Sequence, residues 1–121
     1  MVKSTRILVV DDDIDMRDSI VAMLAASGME TACADSARAA LAMCAGECPF
    51  DVVLSDVMMP GIDGVQFARM LRDRHPKVPV ILMTGRDSII DSVIDAGAVP
   101  LVKPFKPLQL KRVIDDALEA T

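Results

Sequence analysis

An α/β fold, with one open parallel sheet and helices on both faces, is predicted by three observations. Short, wholly apolar, β-prone runs recur along the 121 residues, segments of helical period separate them, and the two alternate from start to end. The runs at residues 7–10 (Ile-Leu-Val-Val), 52–54 (Val-Val-Leu) and 80–83 (Val-Ile-Leu-Met) contain no polar residue. Strands of that kind are buried on both faces, as parallel strands are. Residues 31–34 and 99–102 are two weaker candidates that complete a set of five.

The helical segments follow in order. Met16, Ile20, Met23, Leu24 and Ser27 share one stripe, with Gly28 placed to end it. Asp13 and Asp15 sit at its start, where negative charge suits the helix dipole. Ser36 is a capping residue for the stripe Ala37, Ala40, Leu41 and Cys44, which Gly46 closes. Pro60-Gly-Ile-Asp-Gly64 is a turn signature and is expected to form the loop from the third strand to the third helix. Phe67, Met70 and Leu71 form a third stripe stopped by Pro76, and the charge run over 69–74 is its exposed face. His75, the one histidine, is expected to be a solvated residue at that helix end. Ile89, Ile90, Val93 and Ile94 predict a short fourth helix over 88–96, ended by Gly97. Leu110, Val113, Ile114, Ala117 and Leu118 make the most regular stripe. The spacing carries no linker or internal repeat, so residues 1–121 read as one domain.

Composition narrows the function. Eighteen acidic against thirteen basic residues give a net charge of -5, which repels phosphate backbones and argues against direct nucleic-acid binding. Fifteen of the acids are Asp, a residue of caps, turns and metal sites rather than helix faces. The three cysteines (Cys33, Cys44, Cys48) are odd in number and lack metal-ligand spacing, so a reducing, cytoplasmic location is expected. The longest uncharged stretch, residues 19–29, falls short of the roughly 18 residues of a membrane helix, and the N-terminus is unlike a signal peptide.

Ligands of open parallel sheets bind beyond the carboxyl ends of the strands. Asp11, Asp12 and Asp13 follow the first run, Asp56 the third, Thr84 the fourth and Lys103 the fifth, while Asp35 falls at an edge. Any single Asp after a strand is ordinarily a cap or turn former. Several converging on one rim repel one another and are best explained by a cation; an all-oxygen set suits Mg²⁺.

The segments Ile7-Leu-Val-Val-Asp-Asp-Asp13, Asp51-Val-Val-Leu-Ser-Asp-Val-Met-Met-Pro-Gly-Ile-Asp-Gly64, Met83-Thr-Gly85 and Val102-Lys-Pro-Phe105 resemble the receiver domain of two-component response regulators over the full chain. That resemblance implies a flavodoxin-like (βα)5 fold with strand order 2-1-3-4-5. It implies that Asp56 is the phospho-acceptor, and that Asp11 and Asp12 hold Mg²⁺ with Asp56 and the backbone carbonyl of Met58. Thr84 would hydrogen-bond the phosphoryl group, and Lys103 would pair with it. Pro104 matches the family's cis-proline. The implied partners are a histidine kinase or phosphotransfer protein as donor and a downstream effector. The domain would be a signalling module rather than an enzyme.

Two features depart from the usual pattern. Met58 and Arg86 occupy positions that flank the hydrolytic water in the family; a thioether orients water poorly, so a slowly hydrolysed phosphoaspartate is expected. Pro100 stands where many receivers have an aromatic ring, and the stretch from Thr84 to Lys103 is short. Switching is therefore expected to reorder residues 85–98 as a unit. Three other readings remain open: a Mg²⁺-dependent phosphohydrolase, for which there is no cap domain; a flavodoxin-type electron carrier, for which the chain lacks Trp and Tyr; and an unphosphorylated adaptor, against which all five chemical positions stand.

Overall fold

The computed structural model describes residues 4–120 as a parallel sheet of order β2-β1-β3-β4-β5 wrapped by five α-helices. In chain order the elements are β1 (Arg6–Val10), α1 (Ile14–Ala26), β2 (Glu30–Ala34), α2 (Ala37–Met43), β3 (Val52–Asp56), α3 (Gly64–Arg74), β4 (Val80–Thr84), α4 (Ile90–Asp95), β5 (Val99–Val102) and α5 (Pro107–Glu119). The flavodoxin-like α/β reading and its strand order hold.

Each central strand sends alternate side chains to opposite faces, and both faces are sealed. Ile7, Val9, Val52, Leu54, Ile81 and Met83 pack with Ile20 and Leu24 of α1 and Leu110 and Ile114 of α5. Leu8, Val10, Val53 and Leu82 pack on the other face with Ala40 of α2, Phe67 and Leu71 of α3 and Val93 of α4. Fully burying each such aliphatic chain contributes about 1.5–3 kcal/mol, so continuous apolar runs are what a doubly covered sheet selects. β5 is an edge strand, which is why Pro100, with no N–H to donate, is tolerated opposite Leu82.

Caps explain where helices begin. The Asp13 carboxylate accepts from the N–H groups of Asp15 and Met16, and the Ser36 hydroxyl from Ala39 N–H. Asp63 and Gln66 form a reciprocal capping box at α3, a pairing the apolar stripe alone does not reveal.

Four details differ from expectation. The third and fourth strands run on to Asp56 and Thr84, so these residues end their strands instead of following them. The fourth helix is shorter than 88–96, with a 3-10 turn over Asp87–Ile89 before α4. His75 is half-buried and not simply solvated: its Nε2 lies 2.6 Å from the Cys44 carbonyl, tying the end of α3 to the end of α2. Gly64, which reads in sequence as a turn residue, is buried at the first position of α3 against the end of β3.

A Cβ on Gly64 would collide with the Asp56 carbonyl oxygen and stand 2.7 Å from Val57 Cα, both unyielding backbone atoms. Gly64→Ala is expected to lower stability by about 2 kcal/mol, read as a lower urea midpoint at unchanged slope. Gly85→Ala, with nothing within 4 Å of the added carbon, is the control and should leave the midpoint within error.

Candidate functional site

At the carboxyl edge of the sheet, β1 and β3 lie side by side, paired from Ile7 with Val52 to Val10 with Ser55. That register brings the residues after Val10 level with the end of β3. Asp11 is fully buried: its N–H donates to the Ala34 carbonyl at 3.1 Å, and its Oδ1 accepts from Asp13 N–H at 3.0 Å. Asp12 is exposed and Asp56 half-buried, and one carboxylate oxygen from each of Asp11, Asp12 and Asp56 falls within 4.8 Å of the others.

Two cationic groups hold this cluster. Lys103, one residue past β5, brings its Nζ to 3.2 Å from Asp56 Oδ2. Arg17, on α1, donates from Nη1 to the Asp11 backbone carbonyl at 3.1 Å. Arg17 was not singled out from sequence; its place on the first turns of α1, after three consecutive Asp, is the signal that could have found it.

Thr84 is buried at the end of β4. Its Oγ1 accepts from Arg86 N–H at 3.0 Å, and its carbonyl accepts from Lys103 N–H at 2.8 Å. The Lys103–Pro104 peptide bond is cis. Met58 donates its backbone N–H to Asp56 Oδ1 at 3.2 Å and exposes its side chain. Arg86 is exposed beside Thr84. Asp35, after the edge strand β2, stays outside the carboxylate group, as expected.

The electrostatics of the cluster favour a cation. Among the described residues, Asp11 Oδ2 is the one buried side-chain oxygen or nitrogen without a hydrogen-bond partner. Burial pushes the Asp11 carboxyl above the usual carboxylate range, and the neighbouring Asp56 and Asp12 charges push the same way; Asp13 N–H and Lys103 pull against them. An orphaned buried oxygen in an all-carboxylate group is the donor set of a hard cation such as Mg²⁺, and offers no nitrogen or sulfur to zinc.

Residues 7–115 match the response regulator receiver domain family. The chain belongs to that family. The receiver is 40% identical over 106 residues to the response regulator protein FleR of Pseudomonas aeruginosa, covering 85% of this chain and 22% of FleR. It is 43% identical over 103 residues to the response regulator MprA of Mycolicibacterium vanbaalenii, covering 83% of this chain and 44% of MprA. The chain thus spans less than half the length of these relatives. Among solved structures, the chemotaxis protein CheY4 of Vibrio cholerae superposes with a TM-score of 0.86 at 31% identity, covering 95% of this chain and 99% of that one. Receivers are signalling domains, not enzymes in the ordinary sense, and their family typically binds Mg²⁺ at an acidic pocket. No helix among the described residues is long and apolar enough to cross a membrane.

The raised Asp11 pKa has a definite sign in stability. The folded protein holds this proton more tightly than the unfolded chain, so the group's contribution is full below the ordinary carboxylate pKa and is lost as pH rises through the folded value. Asp11→Asn keeps an Oδ1 acceptor for Asp13 while removing the charge. It is expected to stabilise the metal-free protein at neutral pH by about 1 kcal/mol and to flatten this pH dependence. A lower thermal midpoint in the variant would contradict the account.

Proposed function

We propose that this receiver accepts a phosphoryl group on Asp56 from the phosphohistidine of a histidine kinase or phosphotransfer protein, and thereby alters the surface it offers to a downstream effector. The observation that carries the reading is the carboxylate of Asp56 at a strand end, bonded to Lys103 and within reach of Asp11 and Asp12.

Transfer requires an Asp56 oxygen to form a bond to phosphorus while the phosphorus–nitrogen bond to the donor imidazole breaks, the imidazole leaving with the electron pair. A carboxylate resists this because the incoming group is anionic. Asp11, Asp12, Asp56 and the Met58 carbonyl would hold Mg²⁺, which when bound supplies charge neutralisation for the phosphoryl oxygens. Lys103 supplies a second positive charge: its ammonium, now on Asp56 Oδ2, exchanges that partner for a phosphoryl oxygen. Met58 N–H keeps the Asp56 carboxylate oriented through Oδ1.

Thr84 then acts as the reporter. Its hydroxyl is bonded at both donor and acceptor sides to the backbone of Arg86. Donating to a phosphoryl oxygen takes it from the Arg86 carbonyl and draws on the start of the 3-10 turn before α4. No ring has to rotate, because Pro100 stands at the position of the usual aromatic.

With Mg²⁺ and acetyl phosphate, the intact mass should rise by one phosphoryl group, and Asp56→Asn should abolish the adduct. Asp12→Ala should weaken Mg²⁺ binding measured by calorimetry, since the chain has no Trp or Tyr to report it. In the same mass assay Met58→Asn, which can hydrogen-bond the attacking water, should shorten the adduct's lifetime by about tenfold; decay at the parent rate would remove Met58 from control of lifetime.

Hydrogen exchange tests the switch. Phosphorylated and unphosphorylated chains should differ in protection across residues 85–98 as one block. Equal protection there, with change on another face, would place the signal elsewhere.

A further inference from the structure

Two adjacent methionines follow the strand that ends at Asp56, and they sit in opposite surroundings. Met59 is buried, and its sulfur accepts a hydrogen bond from the Ser55 hydroxyl at 3.9 Å. Met58 turns outward and is 60% exposed, more than any other methionine among the described residues. Met43, on α2, comes next at 37%, and the others described are half-buried or buried. Oxidation of a thioether follows access to its sulfur, so the two neighbours should react at very different rates.

The exposed member of the pair is tied to Asp56. Its backbone N–H donates to Asp56 Oδ1 at 3.2 Å, and a short, unbranched, rotatable chain joins that nitrogen to Sδ. Lys103 lies against Oδ2 of the same carboxylate, so the Met58 chain borders the other side, within its reach of a group carried on Asp56. A thioether is a weak acceptor and orders water poorly. A sulfoxide is polar, and its oxygen accepts hydrogen bonds that the parent sulfur does not hold.

We propose that Met58 is an oxidation site, where a hydroperoxide converts the thioether to a sulfoxide and so shortens the life of a phosphoryl group on Asp56. The effect on lifetime rests on the phospho-acceptor reading; the oxidation site does not. The sulfur lone pair attacks the peroxide oxygen that bears hydrogen, and the oxygen–oxygen bond breaks. The departing oxygen leaves with the electron pair and takes that proton. Sulfur is thus oxidised by two electrons, and the hydroperoxide is reduced to water or an alcohol. The sulfoxide oxygen then accepts a hydrogen bond from water beside the phosphoryl group and holds it for attack on phosphorus. It orients that water without taking its proton, because a sulfoxide is a very weak base. Two thiols restore the thioether, becoming a disulfide as the oxygen leaves in water.

The full chain is treated with limiting hydrogen peroxide, quenched with catalase, digested and mapped by mass. Met58 should gain one oxygen ahead of Met43, with Met59 unchanged. A second portion is charged with Mg²⁺ and acetyl phosphate, freed of donor, and followed by intact mass as the phosphoryl group is lost. Oxidation should shorten its half-life about fivefold, well under what a general base supplies. Methionine sulfoxide reductases for both sulfoxide epimers, supplied with a dithiol, should restore the parent decay. Met58→Leu, which has no sulfur to oxidise there, should decay at one rate with and without peroxide, which controls for the other methionines and the cysteines. Met58→Gln, with a fixed acceptor oxygen, should decay untreated as fast as the oxidised parent. Met43 or Met59 reacting ahead of Met58, or an oxidised Met58 with an unaltered or longer half-life, would overturn the proposal. An untreated chain that takes up no phosphoryl group would instead remove the phospho-acceptor reading and the lifetime effect with it, while the peptide map still decides the site.

Discussion

Three carboxylates held within 4.8 Å of one another are the constraint around which this molecule is arranged. At an effective dielectric near 20, each pair of like charges at such a separation costs about 3–4 kcal/mol. A loop free to move would let them part. Here the backbone after β1 is fixed at successive points: Asp11 N–H to Ala34, Asp11 carbonyl to Arg17, Asp11 Oδ1 to Asp13 N–H. Asp56 is fixed differently, as the last residue of a central strand whose helix starts on a glycine pressed against it. The one ammonium in contact, Lys103, offsets part of the repulsion and leaves the buried Asp11 Oδ2 without a partner.

The sheet can carry that strain because its centre is sealed on both faces. The site lies where β1 and β3 are neighbours although β2 separates them in sequence. From β1 the chain leaves over the face packed by α1 and α5; from β3 it leaves over the face packed by α2, α3 and α4. Connections departing to opposite faces open a cleft between two strand ends, and the carboxylates line it. The same layout separates functions in space. Chemistry gathers at the carboxyl edge, while the contact of His75 with the Cys44 carbonyl belongs to the amino edge, a strand length away.

How much of this is legible in the sequence depends on the range of the interaction. The strands at 7–10, 52–54 and 80–83 announce themselves because double burial leaves an unbroken apolar run, and Asp13 and Ser36 cap helices because capping is local. The site residues were marked by family resemblance and by their common position at strand ends. Contacts made across the fold left no such mark. The His75 ring reaches Cys44 from 31 residues away, and the Arg17 guanidinium looks in sequence like any exposed helix charge. Gly64 was read as a turn former because Pro-Gly-Ile-Asp-Gly is a turn signature; the close approach of β3 is a tertiary fact. Helix four fell short because its apolar stripe does not distinguish a 3-10 turn from an α-helical one.

The edge between β4 and β5 decides what kind of switch this receiver can be under the proposed reading. Its two chemical groups there, Thr84 and Lys103, are joined through backbone: Lys103 N–H bonds the Thr84 carbonyl, and the Thr84 hydroxyl bonds the backbone of Arg86. An aromatic lever would need a ring on β5 and a pocket for it to turn into. β5 offers Pro100, whose fixed φ and missing N–H make it a rigid edge residue with no side-chain swing. What can move is therefore the segment that Thr84 holds by its hydroxyl. That segment is a 3-10 turn without a side-chain cap, followed by a six-residue helix anchored through one fully buried residue, Val93. So short a helix is marginal in isolation and depends on tertiary packing. Two hydrogen bonds to a single threonine are then a sizeable share of what fixes its start, and a group that competes for that hydroxyl acts on the whole segment.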